Sequence, residues 1–308
     1  MEFMKSEVSI LIPVFNRLQT TIRGLRSLFS ALDNYKLNGK QKVNYSIVVI
    51  DDASSDGTPA WIASNYSEIH LIRTEGNLWW TGAINRGADY SIKTLRSDYL
   101  LLWNDDVQPG DNYFLVVEDL IVSALLQNTV AGSKILSSGS GEMWSQGGYF
   151  NRLTGNLGMM VKGHTSGCEI IDCDWQPGMG TIIPVKSILS AGLRWDEKRF
   201  PHYSGDSDFT LRCGKKGMRI CTCLNLVLYN NTSETGFVRK QDIRDLWVSF
   251  TSLKSIYNIK INLRFYSRHG ILPFAYMGMI SRYFFYLGGY MKHSVLKWHR
   301  RQPQIRHA

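Results

Sequence analysis

Tyr99-Leu100-Leu101-Leu102-Trp103-Asn104-Asp105-Asp106-Val107-Gln108-Pro109-Gly110 is an apolar run that stops abruptly on two adjacent carboxylates and a turn. A short apolar run bounded by turn residues reads as a buried strand, and in open α/β sheets ligands gather just past the carboxyl ends of such strands. Asp105 and Asp106 would then stand at the mouth of a site. Their hard oxygens, with the Asn104 amide beside them, suit Mg²⁺ or Mn²⁺ that keeps coordination positions open for phosphate oxygens. A strand followed by an Asn-Asp-Asp turn explains the same residues by turn chemistry alone. The rest of the chain decides between the two.

Working outward, residues 8–14, 45–50, 70–73, 99–103 and 130–135 are β-rich runs, and segments 20–32, 59–65, 82–94 and 112–127 carry helical patterning. Leu25, Leu28, Phe29 and Leu32, for example, fall on one side of a helix. Strands that alternate with helices at this spacing predict an α/β fold with a doubly wound, mostly parallel sheet. From Leu136 the texture changes to Ser, Gly and Asn, the signature of loops and hairpins. Helical patterning returns at 185–191 and 206–216, followed by strands at 219–223 and 226–229. The expected organisation is a nucleotide-binding half at 1–135, a second half at 136–238, and a helical extension at 239–308.

With 308 residues, 44% hydrophobic and 12% aromatic, the chain is long enough to bury a real core and too apolar to be disordered. The net charge of +9 is unevenly placed: residues 239–308 hold 13 Lys and Arg against Asp242 and Asp245, so they carry +11, and residues 1–238 carry −2. No recognition module accompanies that charge, which argues against a nucleic-acid partner. The first residues lack a signal-peptide pattern, so the expected location is cytoplasmic. Five cysteines (Cys168, Cys173, Cys213, Cys221, Cys223), odd in number and without CxxC spacing, argue against a disulfide framework or a zinc site.

The run at 45–50 ends as the one at 99–103 does: Asp51-Asp52-Ala53-Ser54-Ser55-Asp56-Gly57-Thr58. Two strands ending on paired acids line one sheet edge with acceptor oxygens. These suit ribose hydroxyls and base N–H groups, whereas a diphosphate needs a cation between it and a carboxylate. Ser54, Ser55 and Asp56 also suit an Asx turn and helix cap, and both readings can hold together.

Four motifs in order, Pro13-Val14-Phe15-Asn16-Arg17, Asp51 to Thr58, Gly76-Asn77-Leu78-Trp79-Trp80-Thr81-Gly82-Ala83-Ile84-Asn85-Arg86-Gly87, and Asn104-Asp105-Asp106, resemble those of family 2 glycosyltransferases with the GT-A fold, over about residues 6–235. The resemblance implies that Pro13, Phe15, Asn16, Arg17, Asp51 and Asp52 border the nucleotide base and ribose. It further implies that Asn77, Trp80, Gly82, Asn85 and Arg86 cover the donor and that Asn104, Asp105 and Asp106 hold a metal–diphosphate. The family's motif usually opens with Asp where Asn104 stands, leaving Asp105 and Asp106 as ligands of Mg²⁺ or Mn²⁺, Asp106 foremost.

In the second half, Phe200-Pro201-His202-Tyr203-Ser204-Gly205-Asp206-Ser207-Asp208 resembles the family's acidic motif, whose Asp deprotonates the acceptor hydroxyl. Asp206 inherits that role with Asp208 as a supporting acid that orients Arg212 or the loop, although Asp206 could instead only cap the helix at 207–216. Trp175, Gly178, Met179 and Gly180, with His202 and Tyr203, are the expected acceptor-binding residues: glycines permit close backbone approach and an indole stacks on sugar faces. Trp175 could equally be a core aromatic. A departure concerns the late His that often completes the family's metal shell, since Val227-Leu228-Tyr229-Asn230-Asn231-Thr232-Ser233 has none. Metal dependence is thereby weakened, or a weaker oxygen ligand such as Asn230 takes part, with His164 and His202 as substitutes.

In the extension, residues 271–291 are nearly all apolar and aromatic but contain Arg282, a costly charge mid-span, and are flanked by Arg264, Arg268, Lys292, Lys297, Arg300 and Arg301. Aromatic residues among cations suit a peripheral anchor on an anionic inner leaflet, with a packing helix pair or homo-oligomer contact as the other reading. The sequence therefore predicts an inverting glycosyltransferase that uses a UDP- or dTDP-sugar and a glycan or lipid-linked oligosaccharide acceptor in bacterial surface polysaccharide (O-antigen) synthesis. The resemblance leans toward rhamnosyl or galactofuranosyl transfer. The rivals are a sugar-phosphate nucleotidyltransferase, which should open with a Gly-rich phosphate loop absent here, and a non-catalytic membrane-bound scaffold.

Overall fold

The computed structural model describes residues 5–161, 169–231 and 243–301, with side chains in the last segment from Asp245 to Met291. His164, Cys168, Thr232, Ser233 and the side chains of Lys292, Lys297, Arg300 and Arg301 lie outside the described residues. Two compact units are present: residues 1–150 with 157–235, and residues 151–156 with 236–308.

In chain order the first unit contains β1 (Ser6–Val14), α1 (Leu18–Asn38), β2 (Val43–Asp51), α2 (Thr58–Asn65), β3 (His70–Arg73), α3 (Trp79–Lys93), β4 (Tyr99–Leu102), β5 (Val107–Pro109), α4 (Tyr113–Val122), β6 (Thr129–Ser137), β7 (Met143–Ser145), β8 (Gly148–Phe150), β9 (Leu157–Met159), β10 (Ile170–Asp172), β11 (Thr181–Pro184), α5 (Val185–Ser190), α6 (Gly205–Lys215) and β12 (Arg219–Asn230). The second unit holds α7 (Ile243–Thr251), α8 (Ile259–His269) and α9 (Phe274–Arg301).

One large sheet runs β10-β12-β6-β11-β4-β1-β2-β3, with β5 on β12 and β7 on β6. β1 to β4 are mutually parallel where they pair, β12 is parallel to β6, and β11 runs antiparallel between β4 and β6. The strands read as continuous apolar runs because both faces are covered. Ile10, Ile12, Ile47 and Val49 join Leu25, Leu28, Phe114 and Val117 on one face, whereas Leu11, Val48 and Ile50 join Ile84, Ala88 and Phe209 on the other. Strand period two thus sorts alternate residues into two cores, giving the expected doubly wound α/β sandwich.

Within the order β3-β2-β1-β4 the chain winds outward from β1 and then restarts on its other side. The crevice between the carboxyl ends of β1 and β4 is therefore the topological switch point where such sheets bind ligands.

Three strands depart from the sequence expectation. β5 occupies what read as a turn, β10 was not expected, and β11 pairs Thr181 with Leu102 through Pro184 with Tyr99 in a stretch too short to read as a strand. The strands expected at 219–223 and 226–229 are one, β12, with a register shift between Cys223 and Val227. In the second unit, among the described residues, no helix is long and apolar enough to cross a membrane.

Candidate active site

The chain leaves β1 through Pro13, half-buried, Phe15, 51% exposed, and Asn16, which adopts φ 50°. Asn16 donates its backbone N–H to Ser54 Oγ (2.8 Å) and accepts Ser55 N–H on Oδ1 (2.8 Å), tying the first loop to the loop after β2. Arg17, Thr21 and Gly24 then share one face of the first turns of α1 and meet the end of β4. Arg17 bridges both acids, Nη1 to Asp105 Oδ1 at 2.9 Å and Nη2 to Asp106 Oδ2 at 3.0 Å, and Thr21 Oγ1 donates to Asp105 Oδ2 at 3.0 Å. Gly24 permits the close approach: a Cβ there would lie 2.1 Å from the Asp105 carbonyl oxygen.

The two acids differ in kind. Asp105 is 4% exposed and both its oxygens are engaged, so it braces α1 against β4. Burial pushes its carboxyl up to about 6, against the lowering effect of the Arg17 guanidinium. Asp106 spends Oδ2 on Arg17, whereas its buried Oδ1 has no hydrogen-bond partner. Nearby, Asn231 N–H donates to Asp106 O at 3.4 Å, and fully buried Asn230 leaves both side-chain amide atoms unpartnered. Among the described residues no group of three or more His, Cys, Asp or Glu could hold a metal by itself. The donor set nevertheless fits a cation such as Mg²⁺ or Mn²⁺ that takes one carboxylate from the protein and most of its remaining shell from phosphates and water. Asn104 is half-buried at the start of this turn.

At the end of β2, Asp51 is fully buried, accepts Ser54 N–H (3.3 Å) and lies 3.6 Å from Arg73 Nε. Asp52, expected to border the nucleotide base and ribose, organises the loop before α3. Its oxygens accept Thr74 Oγ1 (2.9 Å), Leu78 N–H (3.1 Å) and Trp79 N–H (3.1 Å). Gly76, Asn77 and Trp79 take φ of 94°, 65° and 57°, and Ala53 opposite takes 64°. Left-handed backbone turns successive N–H groups inward to make such a carboxylate nest, and strain of this kind concentrates at functional sites.

The third piece enters through β11. Gly180 N–H donates to Leu102 O (2.8 Å), so Gly178, Met179 and Gly180 run alongside the end of β4. Gly178 N–H donates to Asp206 Oδ2 (3.0 Å), and Asp206 Oδ1 accepts Ser207 N–H (2.7 Å). Burial raises the Asp206 carboxyl above its ordinary range, with those two N–H groups pulling the other way. The helix cap is Ser204, at φ 66°, and not Asp206, which stands inside the first turn of α6. Thr81 N–H donates to Pro201 O (3.0 Å), and the Trp80 ring packs so closely on Gly178 that a Cβ there would lie 2.2 Å from it. Trp79, His202 and Tyr203 form an aromatic row at ring separations of 5.6 and 4.8 Å.

Other expected site residues are committed to structure. Trp175 is 6% exposed, lies against Gly148 and donates Nε1–H to Tyr149 O (3.3 Å), so its indole is a core aromatic and not an open sugar platform. Asp208 is fully buried and ion-paired to Arg212 Nε at 2.9 Å, a support beneath Asp206. Asn85 donates to Trp195 O and Glu197 Oε2, tying α3 to that segment, whereas Arg86 is exposed; Gly82 sits between Leu78 and Glu197.

A family model described as Glycosyl transferase family 2 matches residues 9–168, more than half the chain. The chain belongs to glycosyl transferase family 2. A dolichol-phosphate mannosyltransferase of Pyrococcus furiosus is 28% identical over 158 residues, which is 50% of this chain and 40% of that protein, so the match spans well under two thirds of the relative's length. GalNAc-T7 solved with UDP, GalNAc and Mn²⁺ superposes with a TM-score of 0.57 at 12% identity, covering 73% of this chain and 43% of that one. S. aureus TarS 1-349 in complex with UDP gives 0.50 at 15% identity, covering 75% and 62%. At such identities the likeness is one of fold, and that fold is GT-A.

Within this family 2 chain, sequence motifs point to Arg17, Asp106 and Asp206, and the structure carries all three on the edge formed by β1, β4 and β11. Thr21, Gly24 and Thr74 escaped the sequence reading. For Thr21 and Gly24 a signal existed, their i+4 and i+7 spacing from Arg17.

Proposed function

We propose that this chain is an inverting glycosyltransferase that moves a sugar from a nucleoside-diphosphate donor to a glycan hydroxyl. The supporting observation is the pair of dissimilar acids on one sheet edge: Asp106, with an open oxygen beside Arg17, and Asp206, with a raised carboxyl beside Gly178. An acid with an open oxygen suits a cation–diphosphate, and a partly desolvated acid suits proton abstraction. Asp206 takes the acceptor proton as the acceptor oxygen bonds to the anomeric carbon, and the carbon–oxygen bond to the diphosphate breaks on the opposite side. Arg17, beside Asp106, is the cation suited to the negative charge that grows on the leaving group. A divalent cation held by Asp106, with Asn230 nearby, would supply Lewis-acid stabilisation of that charge.

Donor chemistry of this kind agrees with the UDP bound in TarS and the UDP and Mn²⁺ bound in GalNAc-T7. The donor proposed is UDP- or dTDP-linked rhamnose or galactofuranose, and the acceptor a lipid-linked glycan at the inner leaflet in surface polysaccharide synthesis. A thermal-shift screen of UDP-, dTDP- and GDP-sugars with and without Mn²⁺ tests the donor reading, because a ligand bound only by the native state stabilises it by mass action. Stabilisation by one nucleotide class, larger with Mn²⁺, is expected. No stabilisation by any of them would overturn it.

A further inference from the structure

The mid-segment charge that complicates the extension is resolved by the placement of Arg282. Its guanidinium lies 5.2 Å from the centre of the Tyr257 ring, on the inner side of α9. Ala275 and Met279 are buried on that side. Tyr283 donates to Tyr257 O (2.8 Å), and Tyr286 stacks on Tyr257 at 3.8 Å. The opposite side of the helix carries Phe274, Met277, Ile280, Phe284, Phe285 and Met291, of which Phe284 is 70% and Phe285 80% exposed. Arg282 is the sole charged residue between Phe274 and Met291. The outer face is therefore uncharged and, apart from Ser281, apolar over 18 residues, or about 27 Å at 1.5 Å per residue.

We infer that this outer face of α9 docks in the plane of an anionic lipid surface, phenylalanines inward, without crossing it. The inference deepens the membrane part of the proposed function and rests on that reading. Charge selects the occupant. The face belongs to a segment, 239–308, in which 13 cationic residues oppose two acids. A second copy would bring two such segments together, whereas acidic headgroups complement them. An amphipathic helix of this make-up partitions into the headgroup–acyl boundary.

The test uses the full chain in co-sedimentation with vesicles of phosphatidylcholine alone or mixed with phosphatidylglycerol. Binding to the mixed vesicles is expected, weakened by added salt, and Phe284→Glu/Phe285→Glu should lower it by more than roughly tenfold at unchanged Tm, because both rings are lost from the apolar phase. Should that variant fold poorly, Phe284→Ala/Phe285→Ala replaces it, with a smaller loss in the same direction. Absence of wild-type binding to the mixed vesicles, or equal binding by the variants, overturns the inference. So does a wild-type dimer in lipid-free light scattering that the variant dissociates, which would make a second copy the occupant. Nucleotide-sugar binding measured without lipid tests the donor site separately, so the two failures are distinguishable.

Discussion

Asp206→Asn separates chemistry from structure. The carboxylate accepts Ser207 N–H on one oxygen at 2.7 Å and Gly178 N–H on the other at 3.0 Å. The amide keeps one acceptor, so one of these N–H groups loses its partner at a cost of about 1–3 kcal/mol, offset in part by removal of a desolvated negative charge. The net change in stability should be about 1 kcal/mol. Loss of a general base costs about 10²–10⁴-fold, or roughly 3–5 kcal/mol of transition-state stabilisation. The variant should therefore bind nucleotide-sugar as the wild type does, melt within a few degrees of it and transfer far more slowly. The pH profile gives a second reading. A base whose folded-state pKa is raised stays protonated, and inactive, until pH passes that raised value. Wild-type kcat/KM should climb with pH through a limb above the ordinary carboxylate range, and the limb should vanish in the variant. Steady-state transfer with a competent donor–acceptor pair measures both. Wild-type kcat in Asp206→Asn, or an unchanged acid limb, would refute the assignment.

Gly178→Ala drives a Cβ to 2.2 Å from the Trp80 ring and should cost about 1–3 kcal/mol in denaturant unfolding, with reduced transfer because the Gly178 N–H positions Asp206. Asp106→Asn should abolish the Mn²⁺-dependent part of thermal stabilisation by UDP while leaving the metal-free part, since Asp106 Oδ1 is the open carboxylate oxygen; an unchanged Mn²⁺ increment would remove Asp106 as ligand. Asp208→Asn breaks a buried ion pair and should cost about 3 kcal/mol, the low end for such pairs because the Arg212 side chain is 20% exposed. Trp79→Ala should raise acceptor KM more than donor KM if the Trp79–His202–Tyr203 row faces the acceptor, read by varying each substrate in turn.

The α/β alternation and the doubly wound architecture were legible because both faces of β1, β2 and β4 are covered, which makes each an unbroken apolar run. β5 was not: three residues ending on Pro109 and preceded by Asp105 and Asp106 have the composition of a turn, and only pairing with β12 makes them a strand. β11 lay hidden between a glycine-rich loop and a helix, too short for a period to show. In the site, residue types marked Asp106 and Asp206, but their partners depend on tertiary contacts. Arg17 reaches Asp105 and Asp106 across the fold, and Asp52 is bound by a loop in which only Gly76 among the left-handed residues is a glycine, whereas Asn77 and Trp79 announce no such backbone. Trp175 was open between a sugar platform and a core aromatic, and its packing on Gly148 is that of a core aromatic.

The most direct measurement is the product of incubation with the nucleotide-sugar that stabilises the chain and a glycan acceptor. Release of nucleoside diphosphate, with a new glycosidic bond whose anomeric configuration by NMR is opposite to the donor's, is predicted. Retained configuration, pyrophosphate formed from a nucleoside triphosphate and a sugar phosphate, or donor binding with neither transfer nor hydrolysis would contradict it.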